Sequence, residues 1–178
     1  MAGDLISASE KELTITVFNK MKAASLNELK KELKEIETPQ LIELCLKVTK
    51  FKKENKEMLT YLLFEANNEQ QYVKNIKLKI DELFEDVPKV NLYLAYKVLR
   101  KIQRTSNKYI KYSGIRQTEV EINLYLCEKI KTSGLKIHHS NAIANIIEQL
   151  IKKITKSISS LHEDLQYDFN QELEKLQL

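Results

Sequence analysis

Residues 87–118 read VPKVNLYLAYKVLRKIQRTSNKYIKYSGIRQT, and the reading of this stretch decides how the rest of the chain is understood. It carries eight basic side chains, Lys89, Lys97, Arg100, Lys101, Arg104, Lys108, Lys111 and Arg116, with no carboxylate between Asp86 and Glu119. All three arginines of the chain lie inside it, and Tyr93, Tyr96, Tyr109 and Tyr112 are interleaved. On a helical wheel of about 100° per residue centred on Lys97, the residues Arg100, Lys101, Arg104, Lys108 and Lys111 share a stripe roughly 100° wide. Leu92, Ala95, Leu99, Ile102 and Ile110 fall on the opposite side, as a core-facing stripe should. The pattern predicts an amphipathic helix over 88–112, opened by Pro88 and cationic on its outer face. Thr105-Ser106-Asn107 could end one helix and cap another, which would split the stripe in two.

Like charges at i,i+4, such as Lys97 with Lys101 and Arg100 with Arg104, cost a few tenths of a kcal/mol each. So small a cost leaves three readings open: a solvated face, a face paired with acids of the same fold, or a face for an anionic partner. Asp164, Asp168 and Glu172 form an acidic stripe late in the chain and are the internal candidates. Arginine favours an external one, because its guanidinium grips carboxylate or phosphate with two parallel hydrogen bonds. Tyr93 falls within the cationic face and Tyr112 near its edge. Rings beside cations serve single-stranded nucleic acid as stacking platforms, and they serve equally as half-buried packing at helix contacts.

The chain has 178 residues, which sets one domain over 1–178 as the default, with residues 1–8 frayed. Three glycines and two prolines are too few for the tight turns of a β-rich fold, so the composition points to an all-α protein. Net charge is +4, yet outside the basic stretch 21 basic side chains face 25 acidic ones. The charge is therefore one-sided, a distribution that steers anions to one face or joins two copies of the chain. No apolar run is long enough for a membrane span and no secretory signal is visible, which implies a cytoplasmic protein. Cys45 and Cys127 read as reduced, buried thiols.

Capping signals divide the chain into helices. Ser9-x-x-Glu12 precedes a face of Leu13, Val17, Phe18 and Met21, and Ser25-x-x-Glu28 opens a second helix. Thr38-Pro39 starts a third that runs to about Phe51 and buries Leu41, Leu44, Cys45 and Val48. Asn55 is expected to cap a helix with Met58, Leu59, Leu62 and Leu63 inward, and Asn68 the next. Ser113-Gly114 ends the basic helix, Thr118-x-x-Glu121 opens another, and Ser133-Gly134 ends that one. From Ser140 or Asn141 the last and longest element carries apolar residues from Ile143 to Leu176 at a mean step of about 3.67. That step suits a nearly straight helix, or one kinked near Ser157–Ser160.

Leu44-Cys-Leu46 with Phe51-Lys-Lys53 recurs 48 residues later as Leu92-Tyr-Leu94 with Leu99-Arg-Lys101, and Leu124-Tyr-Leu126 repeats the opening. On these matches residues 25–132 resemble the HEAT/armadillo class of stacked helix pairs. The resemblance implies a short right-handed superhelix of antiparallel helix pairs whose surface binds another macromolecule. An irregular helical bundle is the competing fold. One enzyme group of that class, the DNA alkylation-repair glycosylases, uses tryptophans and a carboxylate beside a basic groove, and this sequence has no tryptophan.

Catalytic and cofactor motifs are not legible. His138-His139 and His162 lack zinc-ligand partners at the usual spacing, and three glycines cannot build a phosphate loop. Glu65, Glu69, Asp81, Glu82, Glu85 and Asp86 could supply an acid/base pair, as in almost any helical protein. The expectation is a non-catalytic scaffold without metal or cofactor, binding a protein partner or a second copy of itself. The alternative is nucleic-acid binding through Lys97, Arg100, Lys101, Arg104, Lys108 and Lys111, with Tyr93 and Tyr112 beside them; a distant alternative is an enzyme on a HEAT-like frame such as a DNA-repair glycosylase. No membrane partner is expected.

Overall fold

The computed structural model describes residues 22–177, and among them every regular element is helical. The Ser9 capping box and the face from Leu13 to Met21 lie outside the described residues. Contacts divide the chain into two compact units, the first ending at Phe51 and the second beginning at Lys52.

In the first unit, Ser25 caps α1 (Leu26–Glu35) through a full capping box, its hydroxyl accepting from the Glu28 amide while the Glu28 carboxylate accepts from the Ser25 amide. Thr38 and Pro39 begin α2 (Thr38–Phe51). Neither helix has a buried residue. Leu44, Cys45 and Val48, expected inside, are exposed, because α2 sinks no face into a core among the described residues.

In the second unit, α3 (Lys53–Thr60) starts two residues before the expected cap at Asn55, with Lys52 as its N-cap. It runs into a π-turn, Tyr61–Glu65, closed by the Ala66 amide bonding the Tyr61 carbonyl at 2.9 Å. The wider turn rotates the following side chains. Leu62 and Leu63, expected in the core, are thereby exposed; Tyr61, at the start of the turn, goes inward, and Met58 ahead of it, also expected inside, is exposed. Asn68 caps α4 (Glu69–Glu85) as expected.

The basic helix α5 (Leu92–Ser113) is a continuous 22-residue element. Thr105-Ser106-Asn107 does not break it: Ser106 lies buried on the core face with Ile102, Gln103 and Ile110, and the Ile102 carbonyl accepts from its hydroxyl, which leaves the buried side chain satisfied. Its N-cap is Asn91, whose Oδ1 accepts from the Leu94 amide at 3.0 Å, and Pro88 stays in the preceding connection. Gly114 ends the helix at φ 68°, a left-handed conformation that favours glycine.

Helix α6 (Arg116–Thr132) begins before the expected Thr118 capping box, because Thr118 is drawn into the interior instead. Val120, Ile122, Leu124, Leu126, Cys127 and Ile130 are buried around most of its circumference. Such a helix must be enclosed. It packs against α4, α5, α7 (Asn141–Ile158) and α8 (Glu163–Gln177), which makes it the axis of the unit. Ser140 caps α7, as its hydroxyl accepts from the Ile143 amide.

The single long C-terminal helix is not formed. Its apolar period continues, but the chain breaks at Ser159–His162 into α7 and α8, leaving α5 the longest described helix. The serine cluster explains the break. The Ser159 hydroxyl bonds the Lys156 carbonyl and the Ser160 hydroxyl that of Ser157, competing with the helix ladder. No described helix is long and apolar enough to cross a membrane.

Candidate anion-docking ridge

Helix α5 is held by Ala95, Leu99, Ile102, Gln103, Ser106, Ile110 and Tyr112, all buried. Its opposite side is therefore committed to solvent, and the cations lie there. Lys97, Lys101, Arg104 and Lys111 are exposed, while Arg100 and Lys108 are partly buried. Between Lys97 and Lys111 the ridge runs about 21 Å, at about 1.5 Å per residue.

Four of these cations have a defined setting. The Lys97 ammonium lies 4.4 Å from the Tyr93 ring centroid. Arg100 donates to the Gln103 side chain at 3.0 Å, and Arg104 Nε donates to the Arg100 carbonyl at 3.2 Å. Lys108 is the one ridge cation with a carboxylate partner among the described residues, donating to Glu57 Oε2 at 2.6 Å.

Glu57, from α3, is a ridge neighbour that sequence reasoning missed. It also accepts from the Tyr112 hydroxyl at 3.0 Å and sits 3.8 Å from the Lys53 ammonium. Burial pulls its carboxyl upward, but the bonds from Lys108 and Tyr112 and the charges of Lys108 and Lys53 outweigh this, so it titrates below its ordinary value. Burial first, then the bond to Glu57, pushes the Tyr112 phenol up. Tyr112 is 8% exposed, so it packs rather than lines the ridge, whereas Tyr93 is 66% exposed.

The second missed residue is Lys153 of α7, which donates to Asn107 Oδ1 at 3.1 Å and brings a further exposed cation to the flank of α5. No periodicity could reveal either one, since each joins α5 from 46 or more residues away.

The acidic stripe does not meet this ridge. Helix α8 packs on α6 and α7. Asp164 lies 3.4 Å from His162, and Asp168 and Glu172 line an open groove of about 810 Å³ with Lys131, Lys175 and Phe169. Among the described residues no ion pair joins these acids to α5.

Two carboxylates considered for acid/base work are occupied otherwise. Glu69 accepts from the hydroxyls of Tyr61 at 2.9 Å and of Ser113 and Thr118 at 2.5 Å each, tying together the π-turn and the ends of α4, α5 and α6. Asp81 accepts from Tyr125 and Lys129, both at 2.6 Å. Burial raises its carboxyl, but the Lys129 and Tyr125 bonds and the Lys129 charge prevail and hold it below its usual value. Among the described residues no three His, Cys, Asp or Glu side chains are placed to hold a metal ion.

No family model, no curated protein and no solved structure matches the chain.

Proposed function

We propose that this chain is a non-catalytic helical binding protein, cytoplasmic, that docks an anionic polymer along the ridge of α5 extended by Lys153. The packed helices serve as a rigid frame, as in the HEAT/armadillo-like class the sequence resembles. Two free thiols, Cys45 and Cys127, suit a reducing compartment. The observation that carries the reading is that Lys97, Lys101, Arg104 and Lys111 are exposed along one unbroken helix without a carboxylate partner among the described residues. Unpaired cations in a row meet repeating anions at little desolvation cost and release the polymer's counterions on binding. Retention on immobilised heparin and nucleic acid at about 50 mM salt tests this, because phosphate- and sulfate-driven contacts are strongest there. The full chain should be retained and should elute with salt. Flow-through on both matrices would overturn the reading.

A second reading, docking of a protein partner or a second copy, is favoured by Leu62, Leu63 and Phe64, all exposed on the π-turn. Concentration-dependent mass in sedimentation equilibrium would support self-association through that face, and Phe64→Ser should then restore the monomer.

A further inference from the structure

We infer that the polymer taken by the ridge is single-stranded nucleic acid, with one unpaired base stacked on Tyr93 while its phosphates follow Lys97, Lys101, Arg104 and Lys111. The inference rests on the ridge reading above and sharpens it.

The first observation is the setting of Tyr93. Its ring is 66% exposed at the N-terminal end of the ridge, next to the exposed Val90 and Leu94. The Lys97 ammonium covers one ring face at 4.4 Å from the centroid. The other face is the size of a nucleobase and already has a cation polarising it from behind, an arrangement that stacking on aromatic platforms uses without regard to base identity. Tyr112 offers no such face, because it is buried with its hydroxyl on Glu57. Tyr109, although the Lys108 ammonium lies 5.0 Å from its ring, is half-buried and edge-on to Tyr112, so stacking is confined to the Tyr93 end of the ridge and phosphate contact occupies the rest.

The second observation is that α5 is sunk between its neighbours. Glu57 of α3 grips Lys108 and Tyr112 on one flank, and Lys153 of α7 reaches Asn107 on the other. A helix that reads duplex DNA must protrude far enough to enter the major groove. Half-embedded, α5 meets a rigid duplex as one convex surface against another and touches few phosphates. A flexible strand can bend along the whole ridge and turn a base onto Tyr93.

Three labelled probes of equal length test this by fluorescence anisotropy with the full chain: an oligothymidylate of about twelve nucleotides, its abasic counterpart, and a duplex. The oligothymidylate should bind about tenfold more tightly than the abasic strand, the worth of one stacked base, and more tightly than the duplex. Tyr93→Ala should abolish the difference between the two strands, and Tyr93→Phe should keep it. Lys101→Glu with Arg104→Glu should weaken the two single strands alike, and the duplex less. If all three bind equally and Tyr93→Ala changes none, the single-strand inference falls while the ridge reading stands. If no probe binds, both fall.

Discussion

Replacing Glu69 by alanine should be among the most damaging single changes in the second unit. The carboxylate gathers three hydroxyls, from Tyr61, Ser113 and Thr118, across four elements. Thr118 and Tyr61 are buried, at 1% and 3% exposure, so without Glu69 their hydroxyls lose an acceptor and gain little water. An orphaned buried polar group costs about 1–3 kcal/mol. Two such groups, together with the partly buried Ser113, give a loss of about 3–5 kcal/mol, less whatever burial of the carboxylate itself costs. In urea unfolding followed by circular dichroism, this lowers the midpoint by about 2 M for a slope of about 2 kcal/mol per M. Glu69→Gln keeps one oxygen acceptor and should lose about half as much. A double-mutant cycle with Thr118→Val should show coupling of about 1–2 kcal/mol. A loss below about 1 kcal/mol for Glu69→Ala would refute the reasoning, since the hydroxyls would then be turning to solvent or to other partners.

Other perturbations follow from the same geometry. Asn123 is 1% exposed, and its side-chain oxygen and nitrogen have no hydrogen-bond partner among the described residues, so Asn123→Leu should raise Tm by a few degrees; a lower Tm would contradict this. Asn91→Ala removes the α5 cap and should cost about 1 kcal/mol, whereas Pro88→Ala, outside the helix, should cost much less in the same urea titration. Glu57 and Asp81 titrate below their ordinary values, so the stability they contribute is present above about pH 4 and is lost as pH falls through their folded values. Tyr61, Tyr72 and Tyr112 titrate above theirs, chiefly through burial, so their contribution is present below about pH 10 and is lost as pH rises further. Urea midpoints taken across this range should therefore fall at both ends.

The parts of the fold legible in the sequence were those set by local chemistry. Ser25, Asn68, Ser140, Gly114 and Gly134 mark helix ends where their side chains or positive φ place them, and the cationic and apolar sides of α5 follow from helical spacing. What escaped depends on contacts distant in sequence. Thr118 has the spacing of a cap but is captured by Glu69, and Asn91 takes the role expected of Pro88. The π-turn at Tyr61 shifts the apolar phase by a residue that no periodicity announces. At residues 157–160 the apolar period fits a straight or kinked helix, yet the chain breaks fully, because two serine hydroxyls bond back to the backbone there. For the ridge, the stripe itself was readable, but Tyr112 turning inward, Glu57 pairing with Lys108 and Lys153 joining from α7 were not.

The salt dependence of binding to a single-stranded oligonucleotide tests the exposed ridge most directly. With four unpaired cations on phosphates, log affinity should fall against log salt with a slope of about −3, and Lys101→Glu with Arg104→Glu should flatten it by about half or more. A slope near zero, or one that the double reversal leaves unchanged, would contradict the account.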